Sequence, residues 1–226
     1  MSINIAIDGP AGAGKSTLAR KLAGRIGFIY VDTGALYRAI ALYVINENIS
    51  PEDAGAMEKA LGGMRIELKY IGGKQHVLLN GEDVSGKIRT EQVSAMASVV
   101  SSRPAVRARL LDIQRDIAKA DNVVMDGRDI GTAVLPDADV KIYLTASTRV
   151  RAQRRYQQLI GAGEKADLSE SEEEIRRRDE RDMTRKTAPL RKADDAVLLD
   201  TSGQTPDESL QALIEIINGK IGRKMA

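Results

Sequence analysis

Ile3, Ile5 and Ile7 alternate with small or polar neighbours and the run stops at Asp8, a pattern that predicts a short strand. Gly9-Pro10-Ala11-Gly12-Ala13-Gly14 then breaks the periodicity, and residues 15–25 resume it as a helix-forming run. The chain therefore begins strand, glycine loop, helix. Residues 28–31 predict a second short strand, and residues 36–45 a helix that is apolar on most of its faces. In residues 64–71 the stretch Ile66-Glu67-Leu68-Lys69-Tyr70 alternates strictly, turns at Gly72-Gly73 and continues into Val77-Leu78-Leu79. That is the signature of an antiparallel hairpin, peripheral to the main alternation.

Helical patterns follow over residues 90–100 and 104–120, the second opening on Pro104, which suits a first helical turn. Residues 123–125 and 140–144 predict two more strands, and residues 196–199 a last one before a helix over 207–217. Between them lie two charge-rich helices, residues 148–159 and 169–186, separated by Gly161-Ala162-Gly163, which predicts a flexible joint. Strands alternating with helices indicate an α/β fold, with the hairpin as an insert. No internal repeat or low-complexity tract interrupts it.

Composition narrows the function classes. The chain has 226 residues, 42% of them hydrophobic and 29% charged, enough for one core with excursions. It has no cysteine, which removes disulfides, thiol nucleophiles and cysteine-based metal sites and suits a reducing compartment. Apolar runs such as residues 39–45 fall far short of the roughly 20 residues of a membrane span. The first residues lack the pattern of a secretory signal, so the expectation is a cytoplasmic protein with no membrane partner. A net charge of only +2 and an aromatic content of 3% argue against nucleic-acid binding, which needs basic surface and stacking platforms. The only histidine, His76, lies in the hairpin and reads as structural, so imidazole acid–base chemistry is not expected.

Gly9 to Ser16 matches G-x-x-x-x-G-K-S, in which small residues let several backbone N–H groups converge on phosphate oxygens at a helix N-terminus. Lys15 would reach the β- and γ-phosphates, and the Ser16 hydroxyl would coordinate a magnesium ion. The competing reading is a glycine-rich turn with an incidental Lys-Ser pair; the strand before and helix after favour the phosphate loop. Two further segments place acid and arginine together after a strand: Asp32-Thr33-Gly34-Ala35-Leu36-Tyr37-Arg38 and Asp126-Gly127-Arg128-Asp129. Ligands bind at such strand ends in α/β folds, and Asp126 has the position of a carboxylate that supports magnesium. Alternatively both aspartates cap helices and the arginines are surface charges.

Arg151, Arg154 and Arg155 fall at i, i+3, i+4, and Arg178, Asp182 and Arg185 at i, i+4, i+7, with Arg181 beside them. Each set shares one helical face, and the joint between the helices suggests a mobile lid. A solvated helix laced by Glu173–Arg177 and Glu174–Arg178 pairs would give the same composition. Phosphoryl transfer between polyanions favours the first reading, because it needs cations around the transferring group rather than a nucleophilic side chain. On these grounds Lys15, Arg151, Arg154 and Arg155 are candidate catalytic residues, to which a family resemblance adds Arg128 and Arg185.

The order of these segments, with Ile7-Asp8-Gly9-Pro10, Glu82-Asp83-Val84-Ser85, Ile88-Arg89-Thr90 and Ala188-Pro189-Leu190, resembles the bacterial cytidylate (CMP) kinases of the nucleoside monophosphate kinase group over almost the whole length. The resemblance implies a three-layer α/β/α fold with a parallel five-stranded core sheet, a small antiparallel insert and a helical lid. It implies a single P-loop kinase domain comprising a core (about 1–35, 104–147 and 187–226), a CMP-binding region (about 36–103) and a lid (about 148–186). It further implies transfer of the γ-phosphoryl group of ATP to CMP or dCMP, with Mg2+ at Ser16 and at Asp126 through water. ATP would lie on Asp8, Gly9, Pro10, Ala11, Gly12, Ala13, Gly14, Lys15, Ser16 and Thr17. Ser98, Arg107 and Asp129 would hold the cytosine, Thr33, Arg178 and Asp182 the sugar, and Arg38, Arg128 and Arg185 the acceptor phosphate, with Tyr37 and Gly127 alongside. A monomer is expected. A kinase for another small acceptor remains the nearest alternative; a nucleotide-dependent switch is the next, although no N-K-x-D guanine-reading segment is present.

Overall fold

The computed structural model describes residues 2–222. Strand β1 (Asn4–Asp8) leads through the glycine loop into α1 (Lys15–Ile26), then β2 (Ile29–Asp32) and α2 (Thr33–Asn46). An excursion follows: α3 (Ala54–Gly63), β3 (Ile66–Ile71), β4 (Lys74–Leu79), β5 (Glu82–Asp83) and α4 (Glu91–Val100). Then α5 (Pro104–Ala120) returns the chain to β6 (Val123–Gly127) and β7 (Val140–Thr145). The paired helices α6 (Thr148–Gly161) and α7 (Leu168–Thr184) precede β8 (Val197–Asp200) and α8 (Pro206–Ile221).

The central sheet has five parallel strands in the order β2-β6-β1-β7-β8, as expected. Its inner strands are covered on both faces, which is why β1 and β6 read as nearly continuous apolar runs rather than clean alternations. Ile5, Ile7, Val124 and Ile142 pack against α1 and α8 on one side, while Ala6, Val31, Val123 and Met125 pack with Ala118 of α5 on the other. The register sets Asp8 opposite Gly127 and Asp32 opposite Asp126. Three sequence motifs far apart in the chain therefore end at one level, on the carboxyl edge of the sheet.

The insert differs in detail from a hairpin. β3 and β4 pair antiparallel as predicted, but β5 adds a short third strand opposite Leu78 and Leu79. Ile66, Val77 and Leu79 bury against Leu36, Ile40 and Val44 of α2. Helix α3 was not anticipated: its sequence AGAMEKALGG is rich in glycine and alanine, and only Asp53, whose carboxylate accepts from the Ala56 N–H, marks its start. Other ends follow ordinary capping. Thr90 and Ser147 cap α4 and α6, and Thr205 with Glu208 forms a capping box on α8. Ligation of the loop to the sheet is tight at Gly9, where a Cβ would lie 1.9 Å from the Leu144 carbonyl oxygen.

Candidate active site

The carboxyl edge of the sheet opens into a cleft of about 880 Å³ bounded by the glycine loop, α2, α4, α6 and α7. Ten cationic side chains and six carboxylates line it, so a nearly neutral chain concentrates positive charge in one place. Such a cleft suits a polyanion.

On one side stands the glycine loop. Gly14 caps α1 in the left-handed region at φ 92°, offers no side-chain cap, and no acid occupies the helix's first turn. The amides at that end, and the positive end of the helix dipole, are thus free for an anion. Ala11 through Thr17 line the cleft. Lys15 is folded inward, donating to the Pro10 carbonyl at 2.7 Å. Burial and the neighbouring Arg128 hold its ammonium well below the usual lysine range, against the pull of Asp126. The Ser16 hydroxyl donates to Asp126 Oδ2 at 2.8 Å, and the Tyr30 phenol donates to Oδ1 of the same carboxylate at 2.9 Å. Burial and Asp32 push Asp126 upward.

Three residues expected on the phosphates lie elsewhere. Asp8, Gly9 and Pro10 do not line the cleft. Asp8 is turned under the loop, where its carboxylate accepts from the Ile130 and Gly131 N–H groups, both at 2.7 Å. It fastens the end of β1 to the turn after β6, and burial raises its carboxyl to about 6 despite those bonds.

Opposite the loop, the two acid–arginine motifs meet residues from α4, α5 and α7. Asp32 does cap α2, accepting from the Ala35 N–H at 3.0 Å, and its other oxygen holds Arg38 at 2.9 Å. The capping and binding readings of this motif are therefore compatible. The Thr33 hydroxyl donates to the Asp126 carbonyl at 2.8 Å. Asp129 is gripped by Arg107 and, at 3.1 Å, by Arg185, whose Nε also donates to the Ala188 carbonyl. Arg128 pairs with Asp182 at 2.9 Å. Burial alone would raise the Asp182 carboxyl, yet Arg128, Arg178 and Arg185 together hold it below the carboxylate range. Tyr37 lines the same wall with Arg107 stacked over its ring, and Gly127 leaves room there because a Cβ would meet Thr33 Oγ1 at 2.8 Å. Ser98 Oγ and Arg178 Nε are buried without any hydrogen-bond partner. Arg38 Nε and Gln204 Oε1 are likewise unpartnered, and their gathering with these two around one cleft suits a ligand there.

The arginine helices divide between the two readings of their sequence. Arg178 and Arg185 face the cleft, whereas Glu172–Arg176 and Glu173–Arg177 form exposed i, i+4 pairs on the other side of α7. Glu174 and Arg178 do not form the ion pair the solvated-helix reading predicts. On α6, Arg154 and Arg155 line the cleft, and Arg154 is anchored to the Ala13 carbonyl at 3.1 Å and to Thr201. Arg151 departs from expectation. It is 5% exposed and lies outside the cleft, donating to the Ala146 and Ala11 carbonyls and pairing with Asp179 at 2.7 Å. Its position one turn before Arg155 turns it beneath the loop, where it ties loop, α6 and α7 together.

Several cleft residues escaped the sequence reading, Arg20, Thr201 and Gln204 among them, and Arg89 figured there only within a motif, without a site role. Arg20 stood one turn beyond Ser16 on α1, a position that spacing alone could have flagged, while Thr201 and Gln204 follow β8 and so belong to the sheet's carboxyl edge.

The sequence matches the family model for cytidylate kinase over residues 5–219. It is 49% identical to the cytidylate kinase of Caldicellulosiruptor saccharolyticus, across 99% of each chain, and 49% identical to that of Caldicellulosiruptor bescii, across 95% of each. In fold it is similar to the crystal structure of an uncharacterized protein from Eubacterium ventriosum, with a TM-score of 0.56 at 13% identity over 97% of this chain and 99% of that one.

Proposed function

The chain belongs to the cytidylate kinase family, nucleoside monophosphate kinases that move the γ-phosphoryl group of ATP to CMP, and from that premise we propose how its residues divide the work. The ATP phosphates lie on the amides of Ala11 to Thr17, with Lys15 swinging from the Pro10 carbonyl to the β- and γ-phosphates. Asp8, Gly9 and Pro10 set the shape of that loop from below. The acceptor lies across the cleft: Arg38, Arg128 and Arg185 on its phosphate, Thr33, Arg178 and Asp182 on its sugar, Ser98, Arg107 and Asp129 on its cytosine. Tyr37 and Gly127 complete the wall. The functional divisions follow the chain as a core (about 1–35, 104–147 and 187–226), an acceptor region (about 36–103) and a lid (about 148–186).

An acceptor phosphate oxygen bonds to the γ-phosphorus as the bond from that phosphorus to the β–γ bridging oxygen breaks, and ADP leaves with the electron pair. Lys15, Arg128, Arg154, Arg155 and Arg185 surround the charge that develops, where guanidinium forks stabilise it best. Arg151 acts through the Ala11 carbonyl it holds, keeping the loop in its phosphate-binding shape. Among the described residues no cluster of three or more acidic or imidazole side chains could hold a metal alone. The hydroxyl of Ser16 and the carboxylate of Asp126 are nevertheless hard oxygen donors beside the loop, and a cation taking its remaining ligands from phosphates and water fits them. Bound there, Mg2+ would neutralise phosphate charge.

The observation that carries the assignment is that Arg38 Nε, Ser98 Oγ and Arg178 Nε, all buried and unpartnered, belong to residues lining the same cleft as the glycine loop. Supply of CMP, dCMP, UMP and AMP in a coupled ADP-formation assay tests the acceptor. CMP and dCMP should be turned over well above UMP and AMP; a different order would move the reading to a kinase for another acceptor. Lys15→Ala should keep the fold, because it removes a buried cation beside Arg128, and lose turnover by orders of magnitude. Retained turnover would overturn the donor assignment. Among the described residues no helix is long and apolar enough to cross a membrane. We propose a cytoplasmic monomer as the working form, and gel filtration at assay concentration checks the oligomeric state.

A further inference from the structure

The small antiparallel sheet has no evident task in the division of labour above, yet it touches the site through one side chain. Gln75, Val77 and Leu79 occupy alternate positions of β4 and so share a face. Val77 and Leu79 use that face to pack on α2. Gln75 continues the row to the edge of the central sheet. There its Oε1 accepts from the Asp32 N–H at 2.8 Å and its Nε2 donates to the Asp32 carbonyl at 3.2 Å.

β2 is the edge strand of the central sheet, paired only with β6. Its outward N–H at Asp32 would otherwise face no partner, while the carbonyl stands at the start of α2. A carboxamide presents an acceptor and a donor on one edge, as a strand residue presents its own C=O and N–H, so Gln75 stands in for one residue of a missing neighbouring strand. Among the described residues no other hydrogen bond joins the two sheets. The residue it clasps is a junction. The Asp32 carboxylate caps α2 and holds Arg38, Arg89 approaches it at 3.7 Å, and Thr33 follows directly.

We propose that Gln75 is a positioning residue for the acceptor: by clasping the Asp32 main chain it fixes the carboxylate that aims Arg38 and the turn that presents Thr33, and the small sheet exists in part to deliver it. This rests on the assignment of Arg38 and Thr33 to the CMP side. Gln75 makes no hydrogen bond to the donor loop, and the side chains it fixes, Arg38 and Thr33, are assigned to the acceptor, so the effect should fall mainly on that substrate.

Steady-state kinetics with each substrate varied in turn test this. Gln75→Leu removes both bonds at similar volume, and two neutral hydrogen bonds worth together about 1–1.4 kcal/mol correspond to a five- to tenfold rise in KM for CMP. KM for ATP should stay within twofold and kcat within threefold. Gln75→Asn, one methylene too short to reach both groups, should raise KM for CMP at least threefold, and it decides the matter if the leucine variant does not fold. His76→Ala, on the opposite face of β4 where His76 meets Asp83, is the control and should leave KM for CMP unchanged. An unchanged KM for CMP in Gln75→Asn, or an equal rise for both substrates, overturns the proposal and leaves the clasp as a strut of the fold. Absence of CMP-dependent turnover in the unaltered protein would instead strike the acceptor assignment, so the two failures are distinct.

Discussion

Replacing Asp8 by asparagine removes one buried titratable group while keeping its shape, and the structure gives the sign and size of the result. Two effects oppose each other at this carboxylate. Burial disfavours its charge; the Ile130 and Gly131 N–H groups, and more weakly Lys15, favour it. Burial wins, and the carboxyl stands at about 6 against an ordinary 3.8. At about 1.4 kcal/mol per pH unit the difference amounts to roughly 3 kcal/mol. Between about pH 4 and pH 6 the folded protein keeps a proton that the unfolded chain has already released, so stability falls as pH rises through that window and is level above it. About half of the loss lies above pH 5.

Asp8→Asn cannot titrate, so its stability relative to the unaltered protein should climb from pH 5 to pH 7.5 by roughly 1–2 kcal/mol. Asp126, raised, and Asp182, lowered, titrate alike in both proteins and drop out of the difference. Urea unfolding of both proteins without nucleotide, across that pH range, reads it directly. A flat difference would mean that the two backbone donors offset burial completely. A difference falling with pH would reverse the argument: the charged carboxylate would then be stabilising, and Asp8 a clamp at neutral pH rather than a cost.

Two further substitutions test the supports of the loop. Gly9→Ala has no room at 1.9 Å from the Leu144 carbonyl, and its φ of 151° suits only glycine, so circular dichroism should find little folded protein; a near-normal melting curve would show that β1 and β7 can part there without harm. Arg151→Met leaves Asp179 buried without its cation and should cost about 3–5 kcal/mol in denaturant unfolding, whereas a loss below about 1 kcal/mol would mean that Arg151 is not a strut.

How much of this was legible in the sequence depends on how local each cause is. The strand–loop–helix at residues 4–26 needed only neighbouring residues, and the five parallel strands followed from short apolar runs between helices. Strand ends were misjudged by a residue or two where pairing partners, rather than the strand's own residues, decide the limit. β6 runs to Gly127 because Asp8 of β1 lies opposite it. Helix α3 was missed because three of its ten residues are glycine, two of them at its end, and packing of Met57 and Leu61 on the insert core helps hold it. The facing of arginines was the hardest part. Spacing puts Arg151 and Arg155 on one side of α6, but a turn of 3.6 residues carries a side chain from above the loop to beneath it, and only the buried Asp179 determines which. Gln75 gave no signal at all, since its role depends on an edge strand more than 40 positions away.

The charges of the cleft show how such a site folds without its ligands. Ten cations around one cavity would repel one another, and most of the acceptor-side arginines are held by carboxylates that themselves line the cleft: Arg38 by Asp32, Arg107 and Arg185 by Asp129, Arg128 by Asp182. These pairs keep guanidinium groups in place but leave them partly spent, so an incoming phosphate must share rather than simply add. Arg178 is different. Among the described residues it has no ion pair and no hydrogen bond, its Nε is buried, and burial together with Arg128 lowers it to about 10. An anion near Arg178 would displace no ion pair and would relieve both the desolvation and the repulsion from Arg128. Of the acceptor-side cations it therefore has the most to gain on binding, and the α7 helix that carries it has the strongest electrostatic reason to follow the nucleotide.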